Sequence, residues 1–88
     1  MSYLKDLAFQ VVTKHINAWD PEHLLDLGAP DDEYEYEIDK VVELVLDSKD
    51  EIEIAESIQD TFNASFGEVY DFDRVIEVAK KIWKELYE

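Results

Sequence analysis

The chain has 88 residues, of which 8 are basic and 23 acidic, and its formal net charge is −15. This length predicts a single domain, residues 1–88, with little room for a deep catalytic cleft. The charge predicts repulsion from nucleic acid and anionic membranes and attraction to a basic protein surface. Because the chain has no cysteine, disulfides, thiolate zinc sites and cysteine catalysis are excluded, and a cytoplasmic protein is favoured.

The first predicted element is an amphipathic helix from Tyr3 to about Trp19. At about 100° per residue, one face carries Leu4, Leu7, Ala8, Val11, Val12, His15 and Trp19, a stripe typical of a helix packed on a core. His15 lies near the middle of this face. It could be a general base or a metal ligand, but a partly buried histidine with one hydrogen-bond partner is the favoured interpretation.

A short second helix is predicted next. Asp20 has the side chain of an N-cap, and Pro21 suits the first helical position, where its missing N–H costs nothing. Gly28 is well placed to end this helix in a left-handed conformation. Pro30 then requires an extended turn.

A third helix is predicted to begin within residues 31–35 and to run to about Ser48. Its buried stripe consists of Tyr34, Ile38, Val41, Val42 and Val45. Tyr36 should point to the opposite side.

Two further helices complete the predicted fold. Ser48 and Glu51 have the spacing of a capping box that opens a fourth helix, and Gly67 should end it. Its predicted inner face is Ile54, Ala55, Ile58, Phe62, Ser65 and Phe66. Asp71 or Asp73 is predicted to cap the last helix. The predicted fold class is therefore all-α, an irregular antiparallel bundle of four longer helices plus one short helix.

The most acidic part of the chain extends from Asp31 to Asp39, with six acids in nine residues. An EF-hand loop would need glycine at its sixth and glutamate at its twelfth position, where Tyr36 and Val42 stand, so no dedicated metal site is predicted. One interpretation is a solvated helix start. The other is a partner-binding face, because tyrosines among acids combine apolar contact with long-range attraction. The predicted face is Asp31, Asp32, Glu33, Glu35, Tyr36, Glu37 and Asp39.

No catalytic motif is recognisable in the sequence. It contains no nucleophile elbow, no phosphate-binding glycine loop and no two-histidine zinc motif. We therefore predict that the protein is not an enzyme and has no catalytic residue, bound metal or cofactor.

A series of short motifs resembles the YugE-like family of small bacterial proteins, known mainly as a domain of unknown function. The most specific part is Trp19-Asp20-Pro21, Leu24-Leu25, Gly28-Ala29-Pro30 and Asp32-Glu33-Tyr34. Phe62, Phe66-Gly67 and the segment from Val78 to Trp83 are similar to the second half of that family. The resemblance implies a compact helical fold and a bacterial, cytoplasmic origin, and it brings no catalytic residues. It marks Trp19, Asp20, Pro21, Gly28, Pro30 and Tyr34 as a structural motif.

The sequence is compatible with several functions. The leading hypothesis is a non-catalytic interaction or regulatory module that binds a basic protein through the region from Glu22 to Asp39. A narrower hypothesis is an immunity-type inhibitor of a basic toxin. The contrasting class is a small-ligand-binding protein or enzyme that uses His15. Self-association into a homo-oligomer is a further possibility, whereas nucleic acid and membranes are not expected partners.

Overall fold

The computed structural model describes residues 3–88 and contains, in that range, four α-helices and no strand. They are α1 (Tyr3–Trp19), α2 (Glu35–Val45), α3 (Glu51–Phe66) and α4 (Phe72–Tyr87). α1 and α3 each pack against both α2 and α4. Ser65, near the end of α3, reaches Glu37, near the start of α2, so these two helices run antiparallel. None of the helices in this range is long and apolar enough to cross a membrane.

The core is formed by the apolar faces of all four helices. Its buried members are Ala8, Val11, Val12, Ile16, Tyr34, Ile38, Val41, Val42, Val45, Ile54, Ala55, Ile58, Phe62, Val75, Val78, Ala79 and Ile82. The predicted α2 stripe is entirely buried, and Tyr36 is 63% exposed on the opposite side. The prediction of an all-helical bundle is therefore confirmed.

The short second helix was a wrong prediction, because residues 20–34 form a series of turns. Asp20 and His23 have φ values of 45° and 56°, which lie in the left-handed region and cannot continue a right-handed helix. The Asp20 carboxylate does accept backbone N–H groups, but they belong to Leu25 and Asp26. These lie too far along the chain for a helical N-cap, whose partners are the second or third helical residues.

The boundaries of α2 and α3 also differ from the prediction. α2 ends at Val45, and the Ser48 hydroxyl donates to the Leu44 carbonyl at 2.9 Å, so Ser48 does not cap α3. Asp50 is the N-cap of α3 and accepts the N–H of Glu53 at 2.9 Å. The predictions for the other helix ends are confirmed, since Gly67 ends α3 with φ 67° and Asp71, rather than Asp73, caps α4.

Three side chains on the helix faces lie elsewhere than predicted. Leu4 is 45% exposed, and Ile16, which the predicted face omitted, is fully buried. Ser65 is exposed at the edge of α3 rather than part of its inner face. The burial of these positions depends on how the helices pack, which periodicity alone does not resolve.

Candidate interaction site

The loop of residues 20–34 is held by a hydrogen-bond network around the buried Tyr34 phenol. The Tyr34 hydroxyl donates to Asp20 Oδ1 at 2.6 Å and accepts the Glu22 N–H at 3.1 Å. The Asp20 carboxylate also accepts the N–H groups of Leu25, at 3.2 Å, and Asp26, at 2.9 Å. The contact between Asp20 and Tyr34 therefore holds the two ends of the loop together. These two members of the predicted structural motif stabilise the loop.

This network shifts the pKa of both its members. Burial opposes ionisation of Asp20, but the hydrogen bonds from the Tyr34 hydroxyl and from the backbone of Asp26 and Leu25 outweigh it and hold the pKa of Asp20 below its ordinary value. Burial, together with the hydrogen bond to Asp20, raises the pKa of Tyr34 to about 12. Near neutral pH the pair is therefore a neutral phenol donating to a carboxylate.

An aromatic cluster fixes the loop to α1, to α3 and to the segment between α3 and α4. The Phe62 ring is its centre, with ring centroids at 5.6 Å from Trp19, 5.9 Å from both Tyr34 and Phe66, and 6.3 Å from Tyr70. The Tyr70 hydroxyl donates to Glu22 in the loop. Burial and this carboxylate raise the pKa of Tyr70, so the phenol stays protonated and the contact persists near neutral pH.

The predicted partner-binding residues do not form one face. Glu33, Tyr36 and Glu37 line a groove of about 660 Å³ between α2 and α3. The other lining residues of this α2–α3 groove are Leu24, Lys40, Asp60, Thr61, Ala64, Ser65 and Phe66. None of these seven belongs to the predicted face, because all of them lie outside the acidic run and join the groove only when α2, α3 and the loop pack together.

The remaining acids of the run lie elsewhere. Asp31, Asp32 and Glu35 line a smaller cavity of about 210 Å³ beside α1, together with Phe9, Thr13 and Ile38. Asp39 is exposed on α2. The acidic run therefore supplies two separate surfaces, of which only the α2–α3 groove combines acids with an exposed aromatic ring.

Glu37 is buried, unlike the other acids of the predicted face. It is 7% exposed, so it is not one of the solvated acids. Its Oε2 accepts the Ser65 hydroxyl at 3.4 Å. Burial and the nearby Glu33 carboxylate raise the pKa of Glu37, although hydrogen bonds from its own N–H and from Ser65, and the charge of Lys40, act in the opposite direction. A sequence signal existed, since Glu37 lies three residues after Tyr34 on the buried side of α2.

Glu37→Gln is expected to raise the free energy of unfolding near neutral pH by up to about 1 kcal/mol, because glutamine fills nearly the same volume without a buried charge. A raised pKa in the folded state means that wild-type stability falls as the pH rises above the ordinary value of 4.5 and through the folded pKa. The gain should therefore be larger at neutral pH than at about pH 4. Urea unfolding at both pH values measures it.

The control for this experiment is Glu35→Gln, which removes the same charge from an exposed position. It should change stability by less than about 0.5 kcal/mol. A Glu37→Gln variant that is less stable than wild type near neutral pH would show that the buried carboxylate stabilises the fold.

His15 lies in a partly buried position beside α4. Its side chain is 12% exposed, and its Nε2 lies 2.9 Å from Glu85 Oε1, which also accepts a hydrogen bond from Lys14 at 2.7 Å. Contact with Lys14 and His15 lowers the pKa of Glu85. His15 and Trp19 also line a cavity of about 330 Å³ with Arg74, Glu77 and Lys81 among the lining residues. Within residues 3–88, Glu85 is therefore a hydrogen-bond partner of His15, which also borders this cavity.

No group of three His, Cys, Asp or Glu side chains within residues 3–88 is close enough together to hold a metal ion.

The fold and the groove define a small four-helix bundle with an acidic groove beside an exposed tyrosine. The chain belongs to the family described as Domain of unknown function (DUF1871), whose model matches residues 11–84. This range contains the whole Asp20–Tyr34 network and the whole α2–α3 groove. The comparison with curated proteins and the comparison with solved structures each give no match.

Proposed function

We propose that this protein is a non-catalytic interaction module that binds a basic surface of a partner protein through the α2–α3 groove. The observation that carries the proposal is the composition of the groove, where Glu33 and Asp60 accompany the exposed ring of Tyr36. Aromatic rings supply contact area at protein interfaces. Acidic residues accelerate encounter with a basic partner and exclude acidic ones.

The overall charge supports the same proposal. A net charge of −15 attracts a basic protein over long distances at low ionic strength and disfavours nucleic acid and anionic membranes as partners. We further propose that the module acts in the cytoplasm and that it comes from a bacterium, in keeping with its lack of cysteine and with the resemblance to the YugE-like family.

A photo-crosslinking residue at the position of Tyr36 tests the proposal in cells of the native host. We expect p-benzoylphenylalanine at this position to capture one protein through a Lys- or Arg-rich segment. The matched control carries the same residue at the position of Tyr3, which is also an exposed tyrosine but lies at the start of α1, 81% exposed. It should not capture that protein.

Charge reversal then tests whether the groove acids drive the capture. The double variant Glu33→Lys and Asp60→Lys should lower the crosslinking yield at low salt by roughly tenfold or more. The double variant Asp6→Lys and Glu77→Lys changes the net charge equally outside the groove and should lower it much less. Equal capture from both tyrosine positions, or equal loss in both double variants, would contradict the proposal, and a crosslink to a second copy of the chain would indicate a homo-oligomer instead.

The narrower hypothesis of an immunity-type inhibitor would use the same groove and the same electrostatics. If the captured partner is a basic toxin, expression of this protein should rescue cells from that toxin, and the variant with reversed groove charges should not.

A further inference from the structure

Glu37 is a largely buried residue that lines the α2–α3 groove. More than nine tenths of the residue is buried, and within residues 3–88 the side-chain hydrogen bond to its carboxylate comes from the Ser65 hydroxyl at the long distance of 3.4 Å. An ionised carboxylate offers about four acceptor positions, and a buried charge is stable when it is paired and hydrogen-bonded. Glu37 therefore has capacity for a donor that enters from the groove.

The surroundings of Glu37 select the chemistry of that donor. Glu33 and Asp60 line the same groove, so the local field favours a cation and opposes an anion. The Tyr36 ring already holds a cation on its face, since Lys40 Nζ lies 4.7 Å from the ring centroid. Glu37 and Tyr36 line the same groove, and a carboxylate and an aromatic ring in one groove fit a guanidinium, because this planar group donates two parallel hydrogen bonds to one carboxylate and stacks on aromatic rings.

From this arrangement we propose that Glu37 is the anchor for an arginine side chain of the partner, with its guanidinium paired to the Glu37 carboxylate and stacked on Tyr36. This inference rests on the proposed function and adds to it the recognised group. Lys40 competes with that group for the Tyr36 ring, so it limits the affinity for weak ligands.

The test uses the full chain and a capped pentapeptide with arginine between two alanines on each side. Two matched peptides carry lysine or the uncharged analogue citrulline in place of arginine. Binding is followed by the backbone amide chemical shifts of the ¹⁵N-labelled protein. We expect the arginine peptide to shift amides in residues 33–40 and 60–66, the lysine peptide to bind several-fold more weakly, and the citrulline peptide not to bind.

Two glutamine variants decide whether Glu37 is the anchor. Glu37→Gln should weaken the arginine peptide by roughly tenfold or more, whereas Glu35→Gln, which removes an equal charge outside the groove, should weaken it by less than about twofold. Well-dispersed amide spectra of Glu37→Gln show that the variant is folded. Lys40→Gln should strengthen binding more than Lys49→Gln, which removes an equal positive charge elsewhere.

Several outcomes would overturn the inference. They are the absence of shifts with the arginine peptide, equal binding of the citrulline peptide, and equal weakening by Glu37→Gln and Glu35→Gln. If the Tyr36 crosslink is nevertheless observed, the groove binds its partner without an arginine at Glu37, and only this inference fails. If the crosslink is also absent, the proposed function fails with it.

Discussion

Phe62→Ala is expected to lower the free energy of unfolding by about 3–5 kcal/mol, the usual cost of removing a buried phenylalanine ring. Phe62 is fully buried and its ring contacts four other aromatic rings, so the surrounding structure cannot easily collapse into the cavity. A domain of this length has roughly 4–13 kcal/mol of stability in total. The variant should therefore unfold at a much lower urea concentration, as measured by far-ultraviolet circular dichroism.

Two controls separate the ring contacts from simple burial. Phe62→Leu keeps most of the buried volume but loses the ring pairs, and it should cost about 1–1.5 kcal/mol. Phe72→Ala removes a half-buried phenylalanine outside the aromatic cluster and should cost less than Phe62→Ala. If Phe72→Ala proved as destabilising as Phe62→Ala, the aromatic cluster would not be the centre of the fold.

The sequence predicted the helices whose apolar positions follow one continuous stripe. The α2 stripe from Tyr34 to Val45 was correct in every position, because apolar residues three and four apart can be buried together only on a helix. Gly67 and Asp71 were also correct, since a left-handed helix end and an N-cap each depend on local chemistry. Such features need no knowledge of the rest of the fold.

The start of α3 was misplaced because two equivalent caps overlap in the sequence. Ser48 and Glu51 have the same three-residue spacing as Asp50 and Glu53. The Ser48 hydroxyl bonds to the Leu44 carbonyl of α2 instead, which leaves the role of N-cap to Asp50. The choice depends on where the preceding helix ends, and local spacing does not contain that information.

In the acidic run, too, some features follow from the local sequence and others only from the packing of the helices. Helical periodicity could have separated Tyr36 and Lys40, four residues apart on one side of α2, from Glu35 and Asp39 on an adjacent side. It could not have supplied Asp60, whose place in the groove depends on how α3 packs on α2. The sequence therefore predicts the segment of α2 that borders the candidate site, but it does not predict the α3 residues that complete the site.

The loop of residues 20–34 was wrongly predicted because its key contact joins residues 14 positions apart. Locally, Asp20 and Pro21 are indistinguishable from the start of a helix. In the fold, Asp20 adopts a positive φ of 45°, and its carboxylate accepts a hydrogen bond from the buried Tyr34 hydroxyl. Aspartate tolerates a positive φ better than most residues. An aspartate at this position is therefore compatible both with a helix N-cap and with the turn that the structure contains.

Asp20→Ala is expected to lower the free energy of unfolding by about 2–4 kcal/mol. The change removes a charged acceptor of three hydrogen bonds, leaves the buried Tyr34 hydroxyl without its acceptor, and places alanine at an unfavourable positive φ. Asp20→Asn retains the tolerance for that φ and one acceptor oxygen, so it should cost roughly half as much. Urea unfolding of both variants near neutral pH measures the two effects.

A double-mutant cycle with Tyr34→Phe isolates the contact between the two side chains. We expect a coupling of about 1–2 kcal/mol near neutral pH, as for a hydrogen bond to a charged group. Because the pKa of Asp20 is lowered in the fold, its contribution is present above the ordinary value of 3.8 and is lost as the pH falls through the folded pKa. The contribution of the Tyr34 hydroxyl is present below its ordinary pKa of 10 and is lost as the pH rises to about 12.

The same variants connect the loop to the groove. Leu24 and Glu33 belong to the loop and also line the α2–α3 groove, so releasing the loop should alter the groove without touching Glu37. Asp20→Asn should therefore weaken the arginine peptide by a few-fold while the amide shifts remain centred on residues 33–40. Unchanged affinity in a measurably destabilised Asp20→Asn variant would show that the Asp20–Tyr34 pair stabilises the bundle independently of the groove.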